Sequence, residues 1–127
     1  MSKQAITSPN LPRAGGPYSI GIRAGNFVFV SGQGPFNPAT GKLVGDTIES
    51  QTKQTLLNVK AIVEAAGLTM GNVVKVSVFL KNAEDFQRMN EVYKTFFADV
   101  PPTRTTVAVS LVESGMLVEI DAIAYRS

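Results

Sequence analysis

Residues 116–125, MLVEIDAIAY, put apolar side chains on both faces of one strand: Val118, Ile120 and Ala122 alternate on one side, Leu117 and Ile123 on the other. A strand apolar on both faces belongs in a sheet that is covered on both faces. Only two segments carry helical periodicity, and two helices on one face of a mixed sheet is the simplest packing. The second face then needs a cover from outside the chain, and another subunit is the natural candidate. The expectation is an α+β fold: a mixed β-sheet, two helices packed on one face, in an oligomer.

The remaining segments fit that frame. YSIGIRAGNFVFVSGQ reads as two strands about a turn at Ala24-Gly25-Asn26. GPFNPATGKLVG is a loop, dense in Gly, Pro and Asn. Asp46 can cap a helix, with Glu49 three residues on as in a capping box. Ile48, Thr52, Thr55, Val59, Ile62 and Ala66 keep helical spacing, and Gly67 suits the stop. NVVKVSVFL is a strand with Val74, Val76, Val78 and Leu80 on one face. A second helix starts at Asn82, with Phe86, Met89, Tyr93 and Phe97 as its buried stripe, and Pro101 and Pro102 mark its end. TRTTVAVSL is the next strand, and a further short strand is possible at KQAI.

The chain has no cysteine and no histidine. Disulfides, thiol chemistry, the Ser-His triad and the commonest metal ligands are thereby excluded. Twelve Lys and Arg against ten Asp and Glu leave a net charge of +2, a weak field for a polyanion. No apolar run approaches the ~20 residues of a membrane span, and MSKQAITSPNLPRAGG has no signal-peptide pattern. The expectation is a cytoplasmic protein whose chemistry uses carboxylates, Arg, hydroxyls and backbone groups, with no metal and no cofactor.

Two charged residues sit where burial is expected. Arg104 opens a strand and alternates with Thr105, Val107, Val109 and Leu111, so it shares a face with the small residues Thr106, Ala108 and Ser110. Its fork matches a carboxylate bidentately; a surface ion pair is the plain alternative. Glu119 lies between Val118 and Ile120, with Asp121 on the same face. A carboxylate in an apolar strand either finds a partner or works as an acid or base. In SGQGP, Gly32 would let a ligand approach the backbone.

These residues carry a resemblance. GPYS, FVSGQ, QTLLNVKAIVEAAG, PPTRTTVAV and VEIDAIA, and above all Pro102-x-Arg104 with the distant Val118-Glu119-Ile120, resemble the RidA/YjgF/UK114 family of enamine/imine deaminases over nearly the whole chain. The resemblance implies one RidA-like domain over residues 1–127, a chorismate-mutase-like fold, and a homotrimer with clefts between subunits. It implies hydrolysis of 2-iminobutanoate or 2-iminopropanoate, intermediates released by pyridoxal-phosphate enzymes, to 2-keto acids and ammonia. Carried over by motif, Arg104 binds the substrate carboxylate and Glu119 activates water or shuttles a proton. Tyr18, Ser31, Gly32, Asn90 and the backbone of Thr106 line the cleft. Gly34 stands where the family often has a branched aliphatic, which predicts a looser cleft wall. A non-catalytic 2-keto acid sensor and a ribonuclease or translation inhibitor are the alternatives.

Overall fold

The computed structural model describes residues 2–127. In chain order it forms β1 (Gln4–Ala5), β2 (Gly21–Ala24), β3 (Phe27–Gln33), α1 (Ile48–Ala65), β4 (Val73–Leu80), α2 (Phe86–Tyr93), β5 (Thr103–Ala108) and β6 (Val118–Tyr125). The strands make one mixed sheet in the order β1-β2-β3-β6-β4-β5. The β4–β5 pair is parallel and every other pair antiparallel. The short strand expected at the N-terminus is β1.

Both helices cover the same face. Leu56, Val59, Ile62 and Val63 of α1 and Met89 of α2 join Val28, Val30, Val76, Val78, Val118 and Ile120 in one core. The opposite face is open. It shows Phe27, Phe29 and Tyr125, each about two-fifths exposed, with the Phe27 ring 6.1 Å from Phe29 and 5.0 Å from Tyr125. Val107 is exposed on the same side. The two-sided apolar character of β6 therefore corresponds to a sheet with one uncovered apolar face.

Four local readings change. Thr47, not Asp46, caps α1: its hydroxyl accepts from the Ser50 N–H at 3.1 Å, and the Ser50 hydroxyl accepts from the Thr47 N–H at 3.3 Å. Glu49 is engaged elsewhere, taking both Nε and Nη2 of Arg88 at 2.9 and 2.8 Å and so tying α1 to α2. On β4 a bulge between Val73 and Lys75 turns Val74 out to solvent, and Val73 takes its place in the core. The second helical segment is broken. Asn82 precedes a 3-10 turn at Ala83–Asp85, α2 proper runs only to Tyr93, and a further 3-10 turn spans Lys94–Phe96. Phe86 is more than a third exposed and lies outside the buried stripe. Finally, β5 stops at Ala108, short of Leu111.

A candidate active site divided between two sheet faces

The ladder between β3 and β6 runs Val28 to Ala124 and Val30 to Ala122, then resumes at Gln33 to Ile120. Ser31 and Gly32 together face the single residue Asp121, which is a β-bulge. Bulges redirect side chains and recur beside active sites. Here the bulge brings the Gly32 backbone against the Glu119 carboxylate, so that a Cβ at Gly32 would overlap that carboxylate and stand 3.0 Å from its Cδ. Only glycine fits. The Ser31 hydroxyl donates to the Ser19 carbonyl at 2.6 Å and the Ser31 N–H to the Ile20 carbonyl at 2.9 Å, docking the Tyr18 segment on β3. The Tyr18 hydroxyl accepts from the Gly15 N–H at 3.0 Å.

Tyr18, Ser31, Gly32 and Glu119 line a single cleft of about 970 Å³, within the size range of small-molecule sites. Glu119 is half-buried on the open side of the sheet. Burial is the main cause that raises its carboxyl above the ordinary glutamate value, and the neighbouring charge of Asp121 raises it further. Asp121 itself accepts from the Ser77 N–H at 3.1 Å.

Arg104, Asn90 and Thr106 do not line this cleft. Arg104 pairs in register with Val76 and Thr106 with Val78, both core residues, so these side chains point to the helix side. Glu119 pairs with Phe79 and points the other way. The guanidinium carbon of Arg104 lies 4.7 Å from the Tyr93 ring centroid and 5.5 Å from that of Phe86, held by cation–π attraction. Among the described residues no carboxylate lies within ion-pair distance of it. Around it, Asn90 Oδ1, Tyr93 Oη and Thr106 Oγ1 are buried without a hydrogen-bond partner. Burial raises the Tyr93 hydroxyl above its ordinary value, and the charge and the close approach of the Arg104 guanidinium partly offset this. The guanidinium thus stacks on two rings with no carboxylate opposite its fork, among groups that are normally satisfied when buried.

The expected looser wall at Gly34 is absent. A Cβ there would stand 2.7 Å from both Met116 Cε and Phe36 Cε2, so those side chains already fill the space. Phe36 was not singled out from the sequence, because loop residues carry no period to read, and Met116 was read only as the first residue of a strand that begins at Val118. Gln51 and Asn58, buried on α1 beneath both cleft loops, were also overlooked. Their spacing from Ile48 and Thr55 places them on the buried stripe, which was the available signal. No cluster of three or more acidic side chains suited to a metal occurs among the described residues, and no helix is long and apolar enough to cross a membrane.

Fold and cleft define a single-sheet α+β protein with a cleft holding Glu119 on one face and Arg104, stacked on Phe86 and Tyr93, on the other. A family model described as Endoribonuclease L-PSP matches residues 8–126. A RutC family protein of Pyrococcus horikoshii is 48% identical, the match covering 98% of each chain. The 2-iminobutanoate/2-iminopropanoate deaminase of Escherichia coli is 45% identical over 99% of each. The crystal structure of E. coli TdcF with bound serine superposes with a TM-score of 0.91 at 42% identity, covering 98% of this chain and 99% of that one. The chain belongs to this family, the RidA/YjgF/UK114 family that its motifs resemble.

Proposed function

We propose that this chain is a 2-imino acid deaminase acting as a homotrimer, with each active site assembled from the Glu119 cleft of one subunit and the Arg104 pocket of the next. The carrying observation is the division itself. Arg104 has no carboxylate within ion-pair distance among the described residues, and one protomer holds it and Glu119 on opposite faces of its sheet. The uncovered aromatic patch at Phe27, Phe29 and Tyr125 supplies an apolar surface for association. The E. coli relative named as a deaminase of 2-imino acids supports the substrate class, and serine bound to TdcF supports a small amino-acid-like ligand.

In this reading the Arg104 fork anchors the substrate carboxylate, and the bare Gly32 backbone leaves room for the Glu119 carboxylate that faces C2. Glu119 takes a proton from water as it adds to C2, then delivers a proton to nitrogen. The carbinolamine loses ammonia and leaves the 2-keto acid. A carboxyl raised toward the working pH serves both transfers. The cleft residues include Arg13 against Glu113 and Glu119, a balance that favours a small carboxylate over a polyphosphate chain. The test is a coupled assay in which threonine dehydratase generates 2-iminobutanoate and its decay to 2-ketobutanoate is followed. Acceleration by this protein supports the reading, and a decay rate equal to the protein-free control rejects it.

A further inference from the structure

We propose that Gln51 and Asn58 of α1 are positioning residues that hold Glu119 against the Ser31–Gly32 bulge. Both side chains are almost wholly buried, and seven residues separate them, two turns or about 10 Å along the helix. Gln51 fastens the start of β6. Its amide nitrogen donates to the carbonyls of Gly115 at 2.9 Å and Gly45 at 3.2 Å, and its oxygen accepts from the Leu117 N–H at 2.7 Å. Leu117 is two residues before Glu119.

Asn58 fastens the other side of the corner. Its amide nitrogen donates to the carbonyls of Gly34 at 3.1 Å and Phe36 at 2.8 Å, and its oxygen accepts from the Gln54 amide at 3.0 Å. Gly34 is two residues after Gly32. One helix thus grips both strands just beyond the point where Gly32 and Glu119 meet. In both amides the two N–H donors and the carbonyl oxygen are all engaged. Their partners are backbone groups of irregular segments, which no sheet ladder can satisfy. An apolar helix face needs no amide for packing, and a buried amide is costly unless paired in this way. Asn58 lies in the cleft wall, but neither amide hydrogen-bonds Glu119; each acts through the backbone it holds.

The inference rests on Glu119 being the working carboxyl of the proposed deaminase, and the experiment separates the two. Gln51→Met and Asn58→Leu remove the amides at similar volume. Gln54→Ala frees only the Asn58 oxygen and leaves a half-buried site, so it is the variant least prone to unfolding. Three quantities are read on the assembled protein: the Glu119 carboxyl titration by carbon-13 NMR, kcat and KM for 2-iminobutanoate, and Tm. The charged groups about Glu119 are Asp121 on its own strand with Glu113 and Arg13 across the cleft; β4 presents uncharged Phe79 opposite it, and none of these is altered. In the folded variants the Glu119 midpoint is expected to fall toward the ordinary value as the corner opens to water. kcat should drop about ten- to a hundred-fold with KM, set by Arg104, nearly unchanged. A lowered Tm with Glu119 titration and kcat both unchanged would mean the amides serve only stability, and the proposal fails. If the first two variants do not fold, Gln54→Ala decides by the same readings. If the wild type hydrolyses no imine yet the Glu119 midpoint still moves, the positioning role stands and the deaminase reading falls.

Discussion

Arg104 and Glu119 stand on opposite faces of the same sheet. They pair with Val76 and Phe79 of the intervening strand β4, three residues apart. The separation is about 10 Å along the strand, with two strand spacings of about 5 Å each across it. The sheet itself lies between the two side chains, so no small imino acid can touch both within one protomer.

Arg104→Ala is expected to abolish deaminase turnover and 2-keto acid binding with the fold intact. Losing charge-assisted hydrogen bonds costs roughly 1.5–3 kcal/mol each. Arg104→Lys should rescue poorly, because an ammonium has no fork to match a carboxylate. Calorimetric titration with 2-ketobutanoate checks both; near-normal affinity in Arg104→Ala would place the anion site elsewhere, and near-normal affinity in Arg104→Lys would show that charge suffices without the fork.

Glu119→Gln is expected to lower kcat by about 10²–10⁴ while leaving 2-keto acid affinity equal or better. The same variant tests the burial of the carboxyl. Its folded-state pKa is raised, by burial first and Asp121 second. The ionised form is therefore disfavoured in the native state. Wild type carries no penalty below the unfolded-state pKa and acquires one as pH rises through the folded value. Glu119→Gln should thus gain Tm relative to wild type on the alkaline side, with the gap closing as pH falls. A Tm difference independent of pH would contradict this.

Mixing inactive Arg104→Ala with inactive Glu119→Gln under subunit exchange should restore activity. With independent shared sites and random mixing of equal amounts, recovery should approach about a quarter of wild type. Mass spectrometry confirms the exchange; proven exchange with no recovery would assign both residues to a cleft within one chain.

Thr52 and Thr55 are fully buried on α1, and neither hydroxyl has a hydrogen-bond partner. Replacing either by Val removes an unsatisfied donor at nearly constant volume, and each should gain about 1 kcal/mol. The check is the urea midpoint at unchanged m. A loss would show that the hydroxyls find partners in the assembled protein.

Elements with a period were legible. The α1 stripe through Thr52, Thr55, Val59 and Ile62 is buried as its spacing requires; alternation located β4 and β6, and a short apolar run located β3. Bulges were not legible, because one inserted residue looks like any other until a partner strand supplies the count. Val74 was therefore assigned to the core side, and the Ser31–Gly32 corner was read only as a glycine near a strand end. The cap lies at Thr47 and not Asp46 because Thr47 and Ser50 satisfy each other's backbone N–H, while Glu49 pairs with Arg88, 39 positions away. Arg104 and Glu119 stood out by their residue types alone, but their opposite orientation depends on the parallel and antiparallel register about β4, which no single strand encodes.

The bulge at Ser31–Gly32 makes β3 a measuring device. Val30 and Gln33 both turn inward across two outward residues, so the count between them, and not only their identity, sets where the cleft opens. Deleting Gly32 would let the ladder close without a break and leave a more regular sheet. The Glu119 carboxylate would then meet a side chain instead of a bare backbone. A change of one residue in chain length here would favour regular pairing at the expense of the site, whereas a residue gained in the loop at 37–41 would leave this register untouched.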